Sequence, residues 1–307
     1  MSQSDKIQGV MLQAPENKPK KLAALINSGK TFALPGAFNA VSARIIEREG
    51  FPAVYVSGAG VSNGVAGYPD IGLMTATEMA EQAGYIARSV SIPAIADADN
   101  GYGEAINVYR TVQDYERQGL SGLHLEDQSI PKRCGHLDGK KLIDPNHMVE
   151  KIAAALAARQ NPDFLIIARV DSRAVLGFDD AVARANRYLD AGAQMIFPEA
   201  LTTPEEFSEF AKQVPGKLIA NMTEFGKTPY LSVSEFESLR YAIVLFPLTA
   251  FRIMMKSVTD SMRVLKAAGS QVNLLNQMTP RTELYDLLCY QDYEQLDATL
   301  AHQYSSL

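Results

Sequence analysis

The chain has 307 residues, 47% hydrophobic and 21% charged, with a formal net charge of -6. This is the profile of a soluble globular protein, and its acidic balance speaks against nucleic acid as a partner. Its 2 cysteines, Cys134 and Cys289, are too few and too far apart for a disulfide framework and point to the cytoplasm; no apolar run approaches a membrane span, and the N-terminus lacks the core of a signal peptide.

Residues 1–18 are polar and read as a flexible arm, ahead of one domain over 19–307. A first helix is expected over 20–28, closed by Gly29. Short apolar runs then alternate with helical patterns. Strands are expected at 32–35, 53–57, 94–97, 122–126, 164–169, 195–198, 217–220 and 242–246. Each run is too continuously apolar for a strand with one wet face, as parallel strands covered on both faces are. Between them, Thr75 with Glu78, Thr203 with Glu206 and Ser232 with Glu235 have the capping-box spacing of a helix start. Pro204 falls at a first helical position, and Gln118-Gly119 and Asp190-Ala191-Gly192 look like helix ends.

Eight strand–helix alternations favour an α/β fold of the (β/α)8 TIM-barrel type over an open doubly wound sheet. The glycine-rich segment 57–67 is the competing signal, but Gly58-Ala59-Gly60 does not continue into the GxGxxG spacing of dinucleotide binding. Beyond the eighth strand, 249–268 and 279–303 form an apolar helical block that either caps the barrel or docks on another subunit.

Barrel active sites lie at the C-terminal strand ends. Here those ends carry Ser57-Gly58-Ala59, Asp97-Ala98-Asp99, Glu126-Asp127, Arg169-Val170-Asp171, Glu199 and Asn221-Met222-Thr223, with Arg252 beyond the last strand. Asp97 and Asp99 are two apart, so both side chains can share a face; oxygen ligands of this kind suit Mg²⁺ or Mn²⁺. Glu126 can add a ligand or orient a metal-bound water. Capping of the next helix, or pairing with an arginine, is the plainer reading of the aspartates. Arg169, Arg252 and Arg281 are suited to clamping carboxylates. The loop Lys132-Arg133-Cys134-Gly135-His136 sets a thiol beside two cations, where a lowered pKa is expected. His136 is an acid/base or a loop-supporting group. No strand ends in lysine, so Schiff-base aldolase chemistry is set aside.

The stretches Tyr55-Val56-Ser57-Gly58, Asp97-Ala98-Asp99, Gly101-Tyr102-Gly103, Leu123-His124-Leu125-Glu126-Asp127-Gln128 and Lys132-Arg133-Cys134-Gly135-His136 form a recognisable set. So do Phe197-Pro198-Glu199-Ala200, Asn221-Met222-Thr223-Glu224-Phe225-Gly226, Pro247-Leu248-Thr249-Ala250-Phe251-Arg252 and Arg281-Thr282-Glu283-Leu284-Tyr285. Over 32–293 the chain resembles the isocitrate lyase and phosphoenolpyruvate mutase superfamily, most of all its 2-methylisocitrate lyase branch. The Lys-Arg-Cys-Gly-His loop marks the lyase branch as a whole, and the Asn-Met-Thr-Glu-Phe-Gly and Arg-Thr-Glu-Leu-Tyr stretches favour methylisocitrate within it.

The resemblance implies retro-Claisen cleavage of 2-methylisocitrate to pyruvate and succinate, within propionate catabolism by the methylcitrate cycle. It implies Mg²⁺ on Asp97 and Asp99, with Asp70 and Glu126 nearby. Ser57, Gly58, Ala59, Cys134 and Gly135 would contact substrate, and Cys134 would deliver a proton to the nascent carbanion. Arg169, Glu199, Asn221, Thr223, Arg252 and Arg281 would hold carboxylates and the hydroxyl. A homotetramer with swapped C-terminal helices is also implied. Departures at Ala59, Asn100, Tyr102, Val170 and Ser172 lie near the expected substrate position and leave 2,3-dimethylmalate and related small 2-alkylmalates as alternative substrates. A non-catalytic dicarboxylate-binding barrel would need a lost catalytic position, and none of those named is lost.

Overall fold

The structure, a computed structural model, describes residues 17–304; residues 1–16 of the expected arm lie outside the described residues. Asn17 and Lys18, read as arm from sequence, instead begin the first helix, Lys18–Asn27. The Asn17 side chain accepts from the Lys20 amide at 3.1 Å, and Pro19 falls in the first turn, where no amide hydrogen is needed.

Eight strands follow: β1 Phe32–Ala37, β2 Val54–Val56, β3 Ala94–Asp97, β4 Gly122–Glu126, β5 Leu165–Val170, β6 Met195–Pro198, β7 Lys217–Asn221 and β8 Ile243–Phe246. Neighbours in the chain pair in parallel, and β8 pairs with β1 to close the barrel. This is the expected (β/α)8 barrel. Thr75 and Ser232 form full capping boxes with Glu78 and Glu235. Thr203 caps its helix but the box is one-sided, because Glu206 turns to the Thr202 amide and to Arg173. Gly119 and Gly192 close their helices with positive φ, as expected.

The period of two along each strand decides what faces where. On β5, Ile166, Ala168 and Val170 pack outward against the helices, while Leu165 and Ile167 join Leu34, Tyr55, Ile95, Met195, Phe197, Ile219, Ile243 and Leu245 inside the barrel. Leu22 and Ile26 of the first helix belong to that inner cluster. The strands' N-terminal end is therefore plugged by apolar side chains. Continuing the inward count past the apolar layer reaches Ser57, Asp97, Glu126, Arg169, Glu199 and Asn221 at the other end.

The barrel and its helices, Asn17–Phe251, form one compact unit; the described residues from Arg252 onward form a second. The second contains most of Thr249–Ala268 and the helices Arg281–Leu287 and Tyr290–Tyr304. Along Thr249–Ala268 only Phe251 is buried, and Arg281–Leu287 buries none of its residues.

Candidate active site

A cavity of about 60 Å³ opens at the C-terminal strand ends, lined by Ser57, Ala59, Asp70, Asp97, Cys134, Gly135, His136, Arg169, Glu199, Asn221 and Thr223. All were singled out in the sequence. Tyr55, Phe197, Leu245, Pro247 and Leu248 complete the wall and were not. The inward period predicts all but Leu248. Gly58 lies against the site, since a Cβ there would stand 2.6 Å from Asp97 Oδ2. Arg252 and Arg281 fall in the C-terminal unit.

The acidic side is built around Asp97 and Asp99. Asp97 Oδ1 accepts from the Asp99 amide at 2.9 Å, and Asp99 takes a left-handed backbone, φ 46°. The Lys132 ammonium bridges Asp99 Oδ1, at 2.7 Å, and Asp70 Oδ1. Burial pushes the Asp99 carboxyl up to about 6 despite Lys132. Burial also opposes charge on Asp97, but His124, Lys132 and Arg169 hold it below the usual carboxylate range. Glu126 is buried, its pKa is raised by that burial, and its Oε1 has no partner. Behind Asp97, His124 Nε2 shares a 2.7 Å hydrogen bond with Tyr55 Oη. Burial lowers the His124 pKa to about 4, so the imidazole is neutral at pH 7.

Opposite stands Arg169. Its Nε and Nη2 donate to the two oxygens of Asp171 at 2.9 and 3.1 Å. Glu126 Oε2 lies 3.5 Å from it and Glu199 Oε2 3.8 Å, and its guanidinium covers the Phe197 ring at 5.3 Å. Burial opposes charge on Glu199 too, yet Arg169 and His136 hold its carboxyl well below the usual range. Asn221 Nδ2 donates to Glu199 Oε2 at 3.2 Å, leaving the buried Asn221 Oδ1 without a partner.

The cysteine loop lies folded over this ring. His136 Nδ1 accepts from the Lys227 amide at 3.0 Å, while its Nε2 approaches Glu199 Oε1 to 2.9 Å. Lys227 Nζ also donates to Asp138 at 2.5 Å. A side chain at Gly135 would collide with Glu199 and Arg169. Cys134 corrects the sequence expectation. Burial raises its thiol pKa, aided by Glu199, and outweighs the lowering by the His136 amide and Arg169. The adjacent cations do not set its charge, because Arg133 is exposed and Lys132 is committed to Asp70 and Asp99.

This constellation of acids, guanidinium and lid has counterparts. The phosphoenolpyruvate phosphomutase family matches residues 22–266. The chain belongs to that family. A 2-methylisocitrate lyase of Aeropyrum pernix is 49% identical over 286 residues, covering 93% of this chain and 92% of that protein. Among solved structures, a 2,3-dimethylmalate lyase, described as a PEP mutase/isocitrate lyase superfamily member, superposes with a TM-score of 0.87 at 36% identity. The match covers 94% of this chain and 96% of that one. A phosphonopyruvate hydrolase in complex with oxalate and Mg²⁺ superposes with a TM-score of 0.82 at 32% identity, over 92% and 98% of the two chains. The chain is an enzyme of the lyase type within the phosphoenolpyruvate mutase and isocitrate lyase superfamily.

The acidic side fits a family Mg²⁺. Among the described residues no three of His, Cys, Asp or Glu converge as a closed metal cage. Mg²⁺ does not need one: it keeps several waters and takes one or two carboxylates. Two strand-end aspartates, an unpartnered buried Glu126 oxygen and a cluster already holding the Lys132 ammonium supply such a donor set.

Proposed function

We propose that the chain cleaves 2-methylisocitrate to pyruvate and succinate, with Mg²⁺ held by Asp97 and Asp99 and flanked by Asp70 and Glu126. The observation that carries the reading is a protonated, half-buried thiol on a loop folded over a ring of acids and arginine. Mn²⁺ has the same oxygen preference and is the substitute ion.

Cleavage breaks the bond between the hydroxyl-bearing carbon and its neighbour. The hydroxyl gives its proton to a carboxylate of the acidic side, Glu126 being the one with an unpartnered oxygen, and becomes the carbonyl of pyruvate. The electron pair stays on the neighbouring carbon, which takes a proton to become succinate. When bound, the ion supplies positive charge against the oxygen of the pyruvate half. Arg169, gripped by Asp171, is fixed in orientation before substrate arrives and offers Nη1 to a carboxylate. Cys134 remains a thiol at neutral pH and gives its proton to the succinate carbanion. His136 acts through position, setting the loop against Glu199 and the Lys227 amide. Asn221, Thr223 and Glu199 orient the hydroxyl, and Arg252 and Arg281 are assigned to carboxylates on the family resemblance alone. Ser57, Gly58 and Ala59 form the wall beside the metal side. With the loop down, the small cavity excludes bulk water from the carbanion.

The apolar residues exposed along the C-terminal helices, Ile253, Met255, Val258 and Met262 among them, support a tetramer with swapped helices. No helix of the described residues is long and apolar enough to cross a membrane, and both cysteines are free, as in a cytoplasmic enzyme. A substrate panel with Mg²⁺ and a coupled pyruvate readout tests the activity. 2-Methylisocitrate should give the highest kcat/KM. A preference for 2,3-dimethylmalate would reassign the alkyl specificity, and no pyruvate from either would refute the lyase reading.

A further inference from the structure

Behind Arg169 lies a buried charge cluster of which the proposed chemistry uses only the grip of Asp171 on Arg169. Asp171 is fully buried, and Lys140 nearly so. Lys140 Nζ donates to Asp171 Oδ1 at 2.9 Å and to the Gly135 carbonyl at 2.6 Å. The same Asp171 oxygen accepts from Arg169 Nη2 at 3.1 Å and from Gln128 Nε2 at 3.2 Å. Gln128 in turn holds the Arg133 backbone on both sides, donating to its carbonyl at 2.9 Å and accepting from its amide at 3.0 Å. The backbone on either side of Cys134 is thus tied, through Gln128 and Lys140, to the carboxylate that orients Arg169.

We propose that Lys140 is the latch of the cysteine loop, a positioning residue whose ammonium joins the Gly135 carbonyl to Asp171. Seating Cys134 over the cavity and aligning Arg169 are then one event. Burying a lysine is unfavourable unless its charge is paired and its donors are used. Here one partner is a loop carbonyl that a lifted loop would carry away. Lifting the loop would leave the ammonium facing Asp171 alone and Gly135 without its donor. Gly139, with φ 79°, makes the turn that returns Lys140 beneath Gly135. The lack of a side chain at Gly135 lets the loop settle against Glu199 and Arg169 once latched.

The role in turnover rests on the lyase reading; the latch itself does not. Two readouts therefore separate them: steady-state cleavage of 2-methylisocitrate, and the rate at which iodoacetamide alkylates Cys134, with Cys289 as internal reference. Lys140→Met should lower kcat at least about tenfold, the scale of losing a charged hydrogen-bond donor, with KM changed less than about threefold. It should raise the Cys134 labelling rate at least about fivefold as the loop opens. Lys140→Arg should recover much of both. Lys140→Gln is run beside them, since it keeps a donor for Gly135 if the methionine chain fails to fold, and should give an intermediate loss. Unchanged kcat and labelling in the methionine or glutamine variant would overturn the latch. So would an arginine variant no better than methionine. Wild-type protein inert toward 2-methylisocitrate would sink the lyase reading, while the labelling comparison would still decide the latch.

Discussion

At the scale of single residues, the inward strand positions were legible because a barrel strand has a period of two. Counting from Leu165 through Ile167 reaches Arg169; counting from Met195 through Phe197 reaches Glu199. One further step, to Asp171, was available by the same count and names the group that grips Arg169. Lys140 was not legible, since loop residues have no period and its partners lie in other segments. The direction of the Cys134 pKa is not legible for a related reason: sequence shows which cations are adjacent, but not that burial dominates. His124 offers a test of such burial. Its pKa falls from 6.5 to about 4 on folding. A depressed folded pKa contributes stability that is present above the unfolded value and lost as pH drops through the folded one. Between pH 6.5 and 4 the wild type should lose on the order of 3 kcal/mol more than His124→Gln, read from denaturant midpoints. Parallel pH curves for the two proteins would contradict a buried neutral imidazole.

At the scale of elements, strands, caps and helix ends followed from local chemistry; the structure keeps β3, β4 and β6 at their expected bounds and moves ends of the other strands by a residue or two. The Thr203 box came out one-sided because Arg173, distant in sequence, claims Glu206. The cysteine loop is the element on which function turns. Its closed form depends on the missing side chain at Gly135. Gly135→Ala should leave the melting temperature within a few degrees, because the loop sits outside the apolar core, yet reduce kcat by about a hundredfold or more through misplacement of the thiol. Kinetics and a thermal melt check both halves. Near-normal turnover would mean the loop reacts in some other position.

At the scale of the whole molecule, the barrel was legible from eight alternations, and its ends differ in a way that places the chemistry. The first helix plugs one end with Leu22 and Ile26, leaving the charged ring at the other. The C-terminal block was legible only as apolar surface, since a single sequence does not show what covers it. Its exposed Ile253, Val258 and Met262 lead to a sharp expectation. Light scattering should give a tetramer, and removing residues from 269 onward should yield smaller species. A monomeric full-length chain would refute the swapped assembly. The central claim is Mg²⁺-assisted carbon–carbon cleavage with a proton delivered by Cys134. It is tested most directly by turning over 2-methylisocitrate in D₂O and examining the products by mass spectrometry and NMR. The account expects equal amounts of pyruvate and succinate, one solvent deuterium per succinate on a single face, loss of product with EDTA, and sharply reduced turnover in folded Cys134→Ser. Absence of cleavage by the wild type, or full activity in Cys134→Ser, would contradict it.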